Sequence, residues 1–202
     1  MRKITFICLA TLLTLPLFSQ ERKHAFDVKE RLGKGINLGD TFEAPSEEAW
    51  GNPWNPEYFK MIAELGFTHV RVPVRWEPAD RSMNTAPYTI YPQFMERIKS
   101  VIDEALKNKL HIIINMHHHE ALIARPTEQR ERFLSQWSQI STYFKDYPDS
   151  LLFELLNEPN DQVTSALWNH LASEALSEIR KTNADRIVLI GPAEWGGVEG
   201  LS

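Results

Sequence analysis

An apolar run, Leu151-Leu152-Phe153-Glu154-Leu155-Leu156, breaks off abruptly in Asn157-Glu158-Pro159. Proline cannot extend a ladder and confines the residue before it to extended backbone. Glu158 is therefore expected at the mouth of whatever the strand builds. A carboxyl group held there against apolar walls has its charged form disfavoured, which suits it to deliver a proton near neutral pH. Asn157 beside it could hydrogen-bond a substrate hydroxyl. The same three residues would also serve as a plain strand-to-loop junction, since Asn and Pro are common turn residues.

A second candidate is Arg71, within His69-Val70-Arg71-Val72-Pro73-Val74. Alternation puts the valines on one face and His69 and Arg71 on the other. If the valines meet helices, Arg71 points inward and needs a carboxylate, because an unpaired buried guanidinium is costly. Glu154 could supply it, for structure or for chemistry. His117-His118-His119-Glu120 invites a metal reading, but neighbouring strand residues point to opposite faces and the HExxH spacing is absent. No metal and no cofactor is assigned. Trp50, Trp54, Trp76 and Trp195 fall in loops or at strand ends, where aromatic rings can stack on sugars or simply pack.

These residues need a scaffold, and apolar runs alternate with amphipathic stretches along the chain. Strands are expected over 34–38, 69–74, 111–116, 151–156 and 186–191, with helices over 56–65, 93–108, 129–144 and 165–181. Continuous apolar strands alternating with helices imply a parallel sheet buried on both faces. A (β/α)8 TIM barrel and a doubly wound sheet both fit. The uncommon polar residues decide between them: Asn37 and Asp40, Arg71, Asn115 and His117, Asn157 and Glu158, Glu194 and Trp195 gather where five successive strands end. Barrels build their sites from many strand tips at once, whereas doubly wound sheets use one crevice. The fold expected is α/β, a TIM barrel represented through about strand five.

The first residues read as an export signal. Arg2 and Lys3 precede a nearly unbroken apolar run from Ile4 to Phe18, and small Ser19 is followed by Gln20. The run is shorter than the roughly 20 residues a membrane span needs, so residues 1–19 are expected to be a cleaved signal peptide and the product to be secreted. Cleavage removes the only cysteine, Cys8, and two basic residues, making the net charge of −5 two units more negative. Such a surface favours neither nucleic acid nor anionic lipid, and a neutral polysaccharide meets no electrostatic penalty.

Taken together, Gly35-Ile36-Asn37-Leu38-Gly39, Glu43-Ala44-Pro45, Gly66-Phe67-Thr68-His69-Val70-Arg71-Val72-Pro73-Val74-Arg75-Trp76, Ile113-Ile114-Asn115-Met116-His117-His118, Phe153-Glu154-Leu155-Leu156-Asn157-Glu158-Pro159 and Gly191-Pro192-Ala193-Glu194-Trp195-Gly196-Gly197 resemble glycoside hydrolase family 5, the cellulase and mannanase family. The chain looks closest to bacterial endo-β-1,4-glucanases. The resemblance implies retaining hydrolysis of a β-linked polysaccharide, with Glu158 as general acid/base and Asn157 on the 2-hydroxyl beside the scissile bond. Arg71 and His117 would orient the nucleophile and the sugar, while His118, Glu43 and Trp195 would be further contacts. Asp40 stands where the family usually has Asn. Residues 20–202 are then the N-terminal part of a catalytic barrel, monomeric if complete.

A typical barrel needs about 250 residues, and this chain has 202. The family's nucleophile is a second Glu at the end of strand seven, for which no residue here is assigned; Glu194 and Glu199 follow strand five. The 202 residues alone are therefore expected to be inactive and poorly soluble, and the alternative to an enzyme is a non-catalytic carbohydrate-binding remnant.

Overall fold

The structure, a computed structural model, describes residues 17–201, with side chains from His24 onward. The expected signal peptide lies outside the described residues except for its last three, which begin a helix. The elements run α1 (Leu17–Leu32), β1 (Gly35–Asn37), α2 (Glu57–Glu64), β2 (His69–Val72), α3 (Pro92–Lys107), β3 (His111–Asn115), α4 (Glu120–Ala124), α5 (Pro126–Tyr143), β4 (Leu151–Glu154), α6 (Ser165–Arg180) and β5 (Val188–Leu189). Every expected strand and helix is present, shifted by a few residues at its ends. Strands stop early because the segments past them bend away to build loops.

All strand pairs are parallel, and the sheet order is β1-β2-β3-β4-β5. Each strand lies beside its predecessor, and the order never reverses. A doubly wound sheet requires such a reversal; sequential addition is barrel geometry. The outward residues Val70, Val72, Ile112, Ile114, Leu151 and Phe153 join the main core beneath the helices. The inward residues Ile113 and Leu152 form a separate apolar cluster with Val28, packed by Leu32, Ile187 and Leu189.

Val28 and Leu32 belong to α1, which the sequence reading passed over. This helix floors the N-terminal end of the barrel interior. Its end is fastened by Thr68 Oγ1 and by His69 Nδ1, which lies 2.7 Å from Leu32 O. Gly35 makes room for that imidazole, since a Cβ there would sit 1.9 Å from His69 Nε2.

At the opposite end the strands leave the sheet, and their carbonyls lose ladder partners. Buried indoles replace them. Trp76 Nε1 donates to Asn115 O (2.8 Å), Trp137 Nε1 to Leu155 O (3.1 Å) and Trp168 Nε1 to Gly191 O (2.7 Å). Each bond anchors the backbone just before or within a polar tip. At the other side of β4 and β5, buried Arg186 donates to the carbonyls of Pro148, Leu151, Phe144 and Tyr147. Its guanidinium also lies over the Phe153 ring.

Replacing Trp137 by Phe keeps an aromatic ring against Phe153 but leaves Leu155 O without its indole donor. A buried unsatisfied group costs about 1–3 kcal/mol. Trp137→Phe is expected to lose that much in urea unfolding, with an unchanged m-value; a loss under about 0.5 kcal/mol would show that the bond does not hold the strand tip.

Candidate active site

The segments that follow β3, β4 and β5 line an open cleft, and the group that organises the strand ends beside it is the Arg71 guanidinium. Strand alternation turns it inward, as the flanking valines require. Nε donates to Glu154 Oε2 (2.6 Å) and Nη2 to Glu154 Oε1 (2.7 Å), a two-pronged ion pair. Nη2 also donates to Asn157 Oδ1 (2.7 Å), and Nη1 to Asn37 Oδ1 (2.7 Å). One side chain of β2 thus joins the ends of β1 and β4. Because Asn157 spends its oxygen on Arg71, its NH2 is left to donate to a ligand oxygen.

Asn115 fixes a second orientation. Fully buried, it accepts from Val74 N–H through Oδ1 (3.1 Å), so its Nδ2 faces His117 Nδ1 at 3.2 Å. A donor there makes Nδ1 the acceptor and places the ring proton on Nε2. Burial, reinforced by neighbouring His118 and by the Arg71 charge, lowers the His117 pKa from 6.5 to about 3. His117 is therefore a neutral imidazole with one N–H to offer.

The consecutive histidines have separate duties. His118 lies edge-on to Trp50, ring centroids 6.4 Å apart, on the cleft side. His119 is buried and caps α4, accepting from Leu122 N–H through Nδ1 (3.1 Å). Of the four tryptophans singled out by position, Trp76 is buried and Trp54 packs on the core, against Phe42 and Phe59. Trp50 and Trp195 are exposed.

Glu43 is almost fully buried and turned toward backbone. Its Oε1 accepts from Asp40 N–H (2.6 Å) and its Oε2 from Thr41 N–H (3.1 Å). It holds the loop after β1 and with it exposed Asp40, whose φ is 67°. That left-handed backbone is one Asp and Asn tolerate better than most residues.

Glu158 departs from expectation in two respects. Its φ is +47°, left-handed instead of the extended conformation expected before Pro159. The turn at 157–160 tightens here, and Asn160 Nδ2 reaches back to Glu158 O (2.6 Å). The side chain is exposed instead of enclosed, and its carboxylate has no hydrogen-bond partner among the described residues. It lines a cleft of about 270 Å³ with His117, His118, Ile123, Asn157 and Trp195. Trp195, also left-handed at φ 58°, is fixed by its N–H to Pro159 O (3.2 Å). The arrangement offers an unencumbered carboxyl group, an amide NH2 and an imidazole N–H on one side, with apolar and aromatic walls. Those are the groups needed to bind a polyhydroxylated ring and protonate an oxygen on it.

Glu77 escaped the sequence reading. It is buried at the end of the β2 segment, with Arg75 at 2.9 Å and His119 Nδ1 at 3.2 Å. Its signal was present, because Glu77-Pro78 repeats the Glu-Pro pair of Glu158-Pro159 at another strand end.

Among protein families, residues 31–201 match Cellulase (glycosyl hydrolase family 5). Endoglucanase H of Acetivibrio thermocellus is 37% identical over 188 residues, covering 93% of this chain and 21% of that protein. Endoglucanase B of Ruminococcus albus is 30% identical, over 88% of this chain and 49% of its own. Among solved structures, endoglucanase Cel5A from Thermotoga maritima superposes with a TM-score of 0.84 at 45% identity, covering 87% of this chain and 56% of that one. The chain thus spans from about a fifth to just over half of the length of these relatives.

Two groups make the fold acid-sensitive. His117 ordinarily titrates at 6.5 and in the fold at about 3. Burial pushes Glu77 upward, but His119 and Arg75 together outweigh it and bring the carboxyl from 4.5 to about 2. In both cases the unfolded chain binds the proton more readily, so stability rises with pH. These contributions are whole above about 6.5; His117's is lost between 6.5 and 3, Glu77's between 4.5 and 2. The melting temperature is expected to fall as pH drops from 7 to 4, and His117→Gln should flatten the part of the fall above 4.5. NMR should find the His117 ring neutral at pH 5; a protonated ring would overturn the assignment.

Proposed function

The chain belongs to the cellulase family, glycosyl hydrolase family 5, and on that basis we propose that it carries the acid/base side of a retaining hydrolysis of β-1,4-glucan, with Glu158 as the proton donor. The observation behind this reading is the network that joins Arg71 to Glu154, Asn157 and Asn37. It presents Asn157 with a free NH2 directly beside a carboxyl group that has no partner of its own.

In the proposed chemistry, a sugar ring lies across the tips of β2 to β4. Asn157 Nδ2 donates to the hydroxyl next to the scissile bond, and His117 Nε2–H donates to a neighbouring oxygen. Glu158 protonates the glycosidic oxygen as the bond breaks, then accepts a proton from the water that completes hydrolysis. Trp195 on one side and Trp50 on the other supply apolar faces for adjoining sugars. Retaining hydrolysis needs a second carboxyl about 5–5.5 Å from the first. None of the 202 residues is assigned that role, and the chain by itself is proposed to bind β-glucan without turning it over.

For the substrate, structures of the Thermotoga enzyme in complex with cellobiose and with mannotriose support a β-1,4-linked glucan, with mannan as a second polymer of the same linkage. Secretion is proposed from the basic and apolar leader. Among the described residues, no helix is long and apolar enough to cross a membrane.

Completing the barrel with the later strands of a related enzyme gives the decisive assay. There Glu158→Gln should cut turnover of cellulose and cello-oligosaccharides by about 10²–10⁴-fold, the usual weight of general acid/base catalysis. Aryl glycosides with good leaving groups should suffer far less, because they depart unprotonated. Equal rates for parent and variant on cellulose would remove Glu158 from the mechanism, and activity confined to α-glucans would refute the substrate class.

A further inference from the structure

One wall of the cleft is built by α4, a helix of five residues whose Ile123 and Ala124 line the same space as Glu158 and Trp195. So short a helix has almost no stability of its own. Something must hold it, and the backbone N–H groups of its first turn have no partner within the helix.

The holding group is Glu77. Its Oε1 accepts from Glu120 N–H (3.2 Å) and its Oε2 faces Ala121 N–H (3.5 Å). A negative charge at this end of a helix is favourable in its own right. The carboxylate is in turn seated by Arg75 Nη2 at 2.9 Å, and that guanidinium also reaches Glu120 Oε1 at 3.2 Å. His119 is the third contact. Its Nδ1 lies 3.2 Å from Glu77 Oε2 and 3.1 Å from Leu122 N. A bare Nδ1 caps Leu122, and a protonated one gives its hydrogen to Glu77. With the hydrogen on Nδ1 the imidazole, wholly buried against Phe133, ties the α4 start to the end of β2.

We propose that Glu77 is a positioning residue of the substrate cleft: it touches no sugar, but through the first turn of α4 and through His119 it sets the wall formed by Ile123 and Ala124 and the backbone that carries His117 and His118. The inference rests on the cleft being the β-glucan site. It adds a residue outside that site on which the binding surface depends. Loss of the clamp should loosen α4 and weaken binding in a protein that is still folded.

The test uses the full chain and cellotetraose, with binding read by tryptophan fluorescence well below the melting temperature. Glu77→Gln keeps the length of the side chain but loses the charge. It is expected to weaken binding by about tenfold, which equals about 1.4 kcal/mol. Hydrogen exchange should quicken at the Glu120 and Ala121 amides and stay unchanged in α6. Arg186→Met, which removes carbonyl contacts far from the cleft, should lower the melting temperature and leave cellotetraose affinity alone. That contrast separates positioning from general stability. Should Glu77→Gln not fold, Glu77→Asp keeps the charge beside Arg75 but falls a methylene short of α4, and the same weakening is expected. Unchanged affinity in whichever variant folds would overturn the proposal. A parent chain that binds no cellotetraose counts against the proposed function, and the clamp is then judged by amide exchange alone: unchanged exchange at Glu120 and Ala121 overturns it.

Discussion

Two opposite charges drawn into the middle of a parallel sheet lose hydration worth several kcal/mol each, and their attraction repays it only with good geometry and no donor or acceptor left over. Arg71 and Glu154 come close to that condition, with four of the five guanidinium N–H groups bonded within the protein. The side chains are 23% and 14% exposed, and the guanidinium gives two parallel bonds to the carboxylate and one each to Asn37 and Asn157. Asn115 Nδ2 approaches Glu154 Oε1 from the next strand, at 3.5 Å. Satisfying the ion pair therefore dictates where Asn37 and Asn157 point, while Val74 N–H orients Asn115 and, through it, selects which nitrogen of His117 holds its proton. The orientation of the cleft follows from neutralising one buried charge. Removing either partner would strand the other, at about 3–5 kcal/mol.

The rest of the fold keeps that network at one end of a five-stranded parallel sheet with an apolar core. Val28 on α1 seals the floor against Ile113 and Leu152, while the outward residues of β2, β3 and β4 are buried beneath the helices. The Arg71 network thus sits at the tips. There the backbone is bent into left-handed turns at Asp40, Glu158, Glu194 and Trp195. Such non-glycine conformations cost of order 1–3 kcal/mol each and persist only where neighbours over-determine them. Glu43 supplies that support for Asp40, Asn160 for Glu158, and the bond to Pro159 O for Trp195. A rigid, dry base carries the cost of an irregular rim.

How much of this could be read from sequence depended on the range of the interaction. Strand alternation alone turned Arg71 inward and nominated Glu154, because a period of two is a local property and a buried guanidinium admits few partners. The pile-up of polar residues at five strand ends separated barrel from doubly wound sheet for the same reason. The floor helix α1 was missed: among its described side chains Val28 and Leu32 mark the buried side, too few for a periodic signal, although Gly33 with φ 53° is an ordinary helix stop. The backbone at Glu158 was misjudged because the restriction imposed by Pro159 is weaker than the turn that Asn160 closes. Glu43 shows the limit of a motif, since its position is fixed by sequence but its partners, two backbone N–H groups, appear only once the loop is folded.

The two Glu-Pro pairs sharpen the difference between a carboxylate that builds and one that is left to react. Both end a strand segment, and neither can be told from the other by composition. Glu77 is surrounded by Arg75, His119 and two helix N–H groups, and each of them favours its charge; its carboxyl sits near 2 and stays ionised through the ordinary range. A group so well satisfied cannot give up or take a proton during a reaction without losing those contacts. Glu158 has its backbone pinned by Asn160 and its side chain pinned by nothing. What it lacks in partners within the described chain it can gain only from what enters the cleft, between Trp195 and the α4 wall. The same dipeptide thus serves as a structural anchor where the protein supplies the partners, and leaves a carboxyl group open to the cleft, the proton donor proposed above, where it withholds them.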